Sequence, residues 1–363
     1  MTKRILAIVG LVLVSGATAV VAIAIWPSRT GTGDTTPTPT GQTRTSVSRP
    51  VGAPGKGAPP GSTDAPTTLR AQRASDVRFA LQPVSGRLPV HHPFKHPPAA
   101  GILFDVKSGE VLWQRRPRLE HAIASLTKMM TALMVARDDT PHERVRISRN
   151  AAHTSGSATG LLPRGRKVPL EPLLQSLIMI SANDAAVALA EHDAGSVPRF
   201  VKAMNRQARS MGLTCTHFST PNGLRDRGNW SCPMDLAELA RADLANPAVS
   251  QIAHTRYAKP RFPIKGKHLY LSNNHYFLQR GLAGLPQAQV TGLKTGFTDA
   301  SGSCYVTTAR VGGTQLGLVL LDTPNPVLQV PALLRAGFEK VGAVAPAPVT
   351  PEKGVAGGPP PGT

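Results

Sequence analysis

Aromatic side chains make up only 4% of this 363-residue sequence, and 21 Asp and Glu stand against 41 Lys and Arg, a formal charge of +20. So few aromatics leave no stacked basic–aromatic platform of the kind that grips single strands, and neither a zinc-finger spacing nor a helix-turn-helix occurs. Nucleic acid is therefore not an expected partner. In an exported protein the cationic excess suits anionic envelope polymers and phospholipid surfaces, or simply solubility. Metal-ligand patterns are missing as well: no HExxH is present, and the three histidines of "HHPFKHPP" at 91–98 have prolines, not acids or cysteines, as neighbours. No internal repeat is found. Cysteine is scarce, with three in all. Cys215 and Cys232 flank "THFSTPNGLRDRGNWS", dense in turn formers, and are the natural disulfide pair in an oxidising compartment. Closing that loop contributes about 3 kcal/mol on the chain-entropy account. Cys304, inside the strand-like "SGSCYVTTARV", is expected to pack.

Charge is also absent from Ile5 to Trp26, behind a basic "MTKR". That run is long enough for one bilayer crossing of about 20 residues, so 1–26 is either a retained amino-terminal anchor or a cleaved signal peptide. Both readings export the chain. Residues 27–98 are rich in Pro, Gly, Ser and Thr, which predicts a flexible tether, and 343–363 read as a similar tail. Residues 99–342 are left as one domain large enough for a good core.

Within it, "AAGILFDVKSGEVLWQRR" predicts two strands around a turn at 107–109, and 123–137 a helix. "LEPLLQSLIMIS" and "NDAAVALAEHDA" predict two helices broken near Ser181. A further helix ends at Gly212, and another is stopped by Asn246-Pro247. Three β runs and a closing helix containing Pro331 follow. Strands at both ends around a helical middle predict a mixed α/β fold, with an antiparallel sheet built from both chain ends.

Three polar stations interrupt this pattern. Ser125 and Lys128 sit three apart in "IASLTKMMTALMVAR", on one helical face among residues expected to be buried. A buried lysine loses charge and can take a proton from a nearby hydroxyl; the ordinary explanation is a capping serine beside a snorkelling lysine. Ser181 and Asn183 lie at the helix break, able to face a cleft or simply to cap a helix. Lys294, Thr295, Gly296 and Phe297 end a predicted strand, with a charge and a hydroxyl for a carboxylate and a glycine admitting a substrate backbone close by. A strand end with a surface lysine would look the same.

In order and kind, Ser-x-x-Lys, Ser-x-Asn and Lys-Thr-Gly form the motif set of penicillin-binding proteins and serine β-lactamases. With "LLQSLIMISANDAAVALAEH", "FVKAMNRQARSMGLTCTHFSTPNGL" and "VTGLKTGFTDASGSCYVTTARVGGTQLGLVLL", the chain resembles the serine D-alanyl-D-alanine carboxypeptidases over about 99–340. The resemblance implies a β-lactamase-like DD-peptidase fold with a helical subdomain, and a hydrolase acting on peptidoglycan stem peptides and acylated by β-lactams, without metal or organic cofactor. It implies Ser125 as nucleophile, Lys128 as general base, Ser181 as proton relay with Lys294, and Asn183 holding the substrate amide. Lys294 and Thr295 would hold the terminal carboxylate, Gly296 would keep the strand open, and the N–H groups of Ser125 and Phe297 would form the oxyanion hole. Phe297 replaces a more usual tyrosine or histidine. The sequence shows neither the second β-rich domain nor the carboxy-terminal amphipathic anchor of many relatives, so the amino-terminal segment and tether are expected to hold the domain outside the membrane. A class A β-lactamase would need a deacylating glutamate after Ser-x-Asn, whereas Glu171 precedes it and Glu191 lies in a helix. The same motifs would also serve an endopeptidase of this family or, without turnover, a wall-peptide binder.

Overall fold

The computed structural model describes residues 79–82, 88–140, 142–160, 162–224 and 227–346. The apolar run 5–26, most of the tether and the tail beyond 346 lie outside the described residues. Among the described residues no helix is long and apolar enough to cross a membrane.

The domain opens with β1 (Ala100–Asp105) and β2 (Val111–Arg115). Their turn is closed by Asp105, which accepts from the Ser108 N–H at 2.7 Å. Strand β3 (His121–Ala122) leads into a tight 3-10 turn, Ala124–Leu126, and then α1 (Thr127–Asp138). Next come β4 (Arg144–Arg146), α2 (Arg149–Ala152) and β5 (Lys167–Pro169). The helical middle holds α3 (Leu170–Met179), α4 (Asn183–Ala194) and α5 (Val197–Ser210). After β6 (Trp230–Ser231) come α6 (Pro233–Ala245) and α7 (Pro247–His254), then β7 (Tyr257–Ala258), β8 (Leu271–Ser272) and α8 (Tyr276–Arg280). Three long strands return, β9 (Gln289–Thr298), β10 (Gly302–Val311) and β11 (Thr314–Leu321), and α9 (Pro326–Lys340), with Pro331 inside it, closes the domain.

The long strands form one antiparallel sheet in the order β2-β1-β11-β10-β9, with Ala100 opposite Leu321 and Asp105 opposite Leu316. Both chain ends thus share one sheet, as the alternation predicts. Side chains one residue apart point to opposite faces, and two cores result. Ile102, Phe104, Val319 and Leu321 pack toward the helical middle, whereas Leu103, Leu316, Leu318 and Leu320 pack under α9 against Val330, Leu333 and Phe338. Helix α1 is enclosed nearly all round, with Met129, Met130, Ala132, Met134 and Val135 all buried. A helix that is apolar on every side belongs in an interior. The nucleophile candidate is not on it: Ser125 sits in the 3-10 turn just before.

Two expectations change. Asn246-Pro247 ends α6 but also starts α7, because the Asn246 side chain accepts from the N–H groups of Ala248 and Val249 and the proline occupies the first helical position. The packed region also begins before 99. Leu81 and Val90 are buried, Val90 N donates to Leu112 O at 3.0 Å, and the Arg241 guanidinium holds the Phe79 and Ala80 carbonyls. The few apolar residues of that stretch suffice to cover the start of the sheet, although its average composition reads as tether.

Asp243 on α6 is fully buried, neither carboxylate oxygen has a hydrogen-bond partner among the described residues, and burial pushes its pKa well above the ordinary range. The folded state therefore keeps a proton that the unfolded chain releases above about pH 4. Its contribution falls as pH rises from there through the folded-state value. Asp243→Asn removes this dependence: thermal melts should show no gain for the variant near pH 3.5 and a gain of several degrees near pH 7.

Candidate active site

Lys128, the second residue of α1, places its Nζ 2.8 Å from Ser125 Oγ, 2.8 Å from Asn183 Oδ1 and 2.6 Å from the Asn222 carbonyl oxygen. The lysine is buried, while Ser125 is part-exposed. None of the three partners is a carboxylate. Burial, followed by the charge of Lys294, pushes the Lys128 pKa well below its usual value, and Asp184 offsets this only in part. When such a lowered amine is neutral, its lone pair can face the Ser125 hydroxyl while two N–H groups remain for the two amide oxygens.

The second station is built at the α3–α4 break. Ser181 takes φ +60°, a left-handed conformation that costs a non-glycine residue about 1–3 kcal/mol, and Ala124, beside Ser125, does the same at φ +45°. Strain is thus held at two of the three stations. Ser181 Oγ is buried with no hydrogen-bond partner among the described residues. Asn183 is fixed from both sides, its N–H donating to Ser157 O at 2.6 Å and its Nδ2 to Ser155 O at 3.0 Å. Asp184 accepts from the N–H groups of Thr159 and Gly160, tying the same loop to the start of α4.

The third station lies on β9, the edge strand of the sheet. Lys294 is buried, donates to Thr295 O at 2.8 Å, and is pushed down by burial to a pKa of about 7. Thr295 is half-buried, and Phe297 is 68% exposed. A Cβ at Gly296 would lie 2.9 Å from the Ile123 carbonyl oxygen and 3.1 Å from Ser125 N. The missing side chain lets the strand approach the nucleophile's own turn.

All three stations therefore meet at one place. The sequence missed a fourth contributor, the turn Pro221-Asn222-Gly223. Its Asn222 carbonyl receives Lys128, and its Pro221 carbonyl accepts from Thr131 Oγ1 at 2.7 Å. The segment is held by Asn229, whose side chain accepts from the Ser219 and Thr220 N–H groups, and by the Cys215–Cys232 disulfide across its base, Cα–Cα 5.8 Å. A backbone carbonyl has no residue-type signature, so only the turn-forming Pro-Asn-Gly hinted at it. Cys304 is buried on β10, its Sγ 3.4 Å from the Ser301 carbonyl oxygen.

Among the described residues two groups have metal-like spacing. In Cys215, Cys232 and Asp235 the two sulfurs are already joined to each other. In Asp139, Glu143 and His192, at the far end of α1 from Lys128, the imidazole and Glu143 are paired at 2.9 Å. Neither group adjoins Ser125.

Comparison with known proteins agrees with this geometry. The S11 peptidase family model, described as D-alanyl-D-alanine carboxypeptidase, matches residues 89–325. The chain is 30% identical over 236 residues to the D-alanyl-D-alanine carboxypeptidase DacF of Bacillus subtilis, covering 64% of this chain and 59% of that one. It is 29% identical over 224 residues to a D-alanyl-D-alanine endopeptidase of Escherichia coli, covering 61% and 70%. A solved D-alanyl-D-alanine carboxypeptidase from Mycobacterium tuberculosis superposes with a TM-score of 0.62 at 30% identity, covering 70% of this chain and 94% of that one. The aligned region spans about three-fifths of the length of DacF.

Proposed function

Because the chain belongs to the S11 family of D-alanyl-D-alanine carboxypeptidases, we propose that it removes the terminal D-alanine from peptidoglycan stem pentapeptides through an acyl-enzyme on Ser125. The observation that carries this is the buried Lys128 amine, 2.8 Å from the Ser125 hydroxyl and without a carboxylate partner. As neutral amine, Lys128 takes the Ser125 proton while Oγ attacks the carbonyl between the two D-alanines. The oxyanion meets the N–H groups of Ser125 and Phe297, donors worth a few kcal/mol when preorganised. Ser181, whose hydroxyl is uncommitted, passes a proton to the leaving amine with Lys294 behind it. Asn183 holds the substrate amide, and Lys294 with Thr295 holds the free carboxylate. Water then hydrolyses the ester. No step calls on a metal or an organic cofactor.

A class A β-lactamase uses a glutamate at the ester to speed deacylation. Glu171 is hydrogen-bonded to Gln175 at the opposite end of α3, and Glu191 to Asn150. β-Lactams are therefore slow-leaving inhibitors in this reading. The apolar run 5–26 in the sequence supports export of the domain to the outer side of the membrane, retained or released, and the Cys215–Cys232 disulfide supports an oxidising compartment. The test is release of free D-alanine from a soluble pentapeptide ending in D-Ala-D-Ala. Turnover is expected, and protein that binds penicillin covalently yet releases none would overturn the carboxypeptidase reading. Preferred cleavage of a cross-linked dimer would move the assignment to an endopeptidase, the activity for which the Escherichia coli relative is named.

A further inference from the structure

The +20 charge is unevenly spread. No Asp or Glu occurs between Asp243 and Asp299, and residues 257–272 within that stretch form one irregular hairpin. Tyr257 pairs with Ser272, Ala258 with Leu271 and Arg261 with His268. Alternation places Tyr257, Lys259 and Arg261 on one face, about 7 Å apart, and all three are exposed. Opposite stands the β4–β5 hairpin, where Arg144 is held across the strands by its bond to Lys167 O at 2.8 Å.

Between the two hairpins run two depressions of about 390 and 470 Å³ that share Arg144, Pro169 and Arg261. Lys267 lines one of them and Lys259 the other. Their one acid, Glu171, is hydrogen-bonded to Gln175. None of these four cations is in an ion pair with a described carboxylate. Tyr257 and Tyr270 are 70% and 75% exposed, with Lys259 Nζ 5.1 Å from the centre of the Tyr270 ring. The groove meets the start of α3, and Ser181 lies just past its other end, so about 15 Å of helix separates the groove from the Ser181 station of the site.

We propose that this groove binds a linear anionic glycopolymer of the cell envelope, cations pairing with its phosphodiesters or carboxylates and tyrosine faces stacking on its sugars. A concave, elongated lining fits a chain better than a flat lipid surface, and the exposed rings are tyrosines, where membrane insertion favours Trp, Phe and Leu. The polymer would hold the domain beside its peptide substrate; this part rests on the function proposed above.

The test uses the full chain and fluorescence anisotropy with labelled poly(glycerol phosphate), polyglucuronate, neutral dextran and single-stranded DNA of matched length. The groove variant Arg144→Gln/Lys259→Gln/Arg261→Gln/Lys267→Gln is compared with Arg199→Gln/Lys202→Gln/Arg206→Gln/Arg209→Gln on exposed α5, which loses the same charge. The groove variant should bind the anionic glycopolymer at least tenfold more weakly, and its salt slope should fall by about 3, at about 0.7 per lost contact. The α5 variant should change less than twofold, and dextran should not bind. Whichever of the two anionic probes binds more tightly identifies the ionic group. Tyr257→Ser/Tyr270→Ser should weaken binding by several-fold. Equal losses in both quadruple variants, DNA bound as tightly as either glycopolymer, or an indifferent tyrosine variant would overturn the proposal. Penicillin acylation of Ser125 should stay normal in the groove variant, so a failure here is distinct from a failure of the proposed reaction.

Discussion

After incubation with penicillin, Ser125→Ala carries no covalent adduct by intact mass, and Lys128→Ala acquires one about 10³-fold more slowly than the parent protein. The first result follows from loss of the hydroxyl that Lys128 Nζ contacts at 2.8 Å. The second follows from the range for a positioned general base, about 10²- to 10⁴-fold. Both variants should fold. Removing Lys128 leaves the Asn183 and Asn222 oxygens without their donor, at about 1–3 kcal/mol each, but also relieves the burial of an amine. Circular dichroism unchanged beside a lost adduct separates base from scaffold. Adduct formation by Lys128→Ala within tenfold of the parent rate would show that another group takes the proton. The pH profile gives a second reading. Lys128 must be neutral, so kcat/KM rises with pH on the acid side. Lys294 must be charged to hold a carboxylate, and its free-enzyme pKa is about 7, so kcat/KM falls as pH passes that value.

The sheet was legible because short apolar runs bounded by turns, as in β1, β10 and β11, are a local property, and burial of both faces produced the two cores. The site was legible where it used side chains whose burial is chemically odd: a lysine inside an apolar helix, and polar residues at a helix break. Other features were not. Asn246-Pro247 looks the same whether it stops one helix or begins the next. Residues 79–82 and 88–98 dock through a handful of apolar side chains and through backbone carbonyls held by Arg241, and composition averaged over the tether hides both. Gly296 has a second neighbour that the sequence does not show, because only the fold reveals that the 123–125 turn lies against β9.

Gly223→Ala should be the most damaging exchange of one small residue for another. Gly223 has φ +75°, and a Cβ would point directly onto the Ala124 carbonyl oxygen. The obstacle is backbone, so no rotamer change relieves it, and that backbone is the strained turn carrying Ser125. Movement on the other side would displace the neighbouring Asn222 carbonyl from Lys128. A combined conformational and steric cost of about 3 kcal/mol lowers the melting temperature by about 6–12 °C for a domain of this size. Acylation should fall by about 100-fold, as expected when the base is misplaced by an ångström or less. Gly212→Ala is the control: φ is +78°, yet nothing lies within 4 Å of the new Cβ. It carries only the left-handed penalty of about 1–2 kcal/mol and should acylate normally. If the two variants proved equally active, the 221–223 turn would be a bystander, and the base would need no carbonyl to hold it.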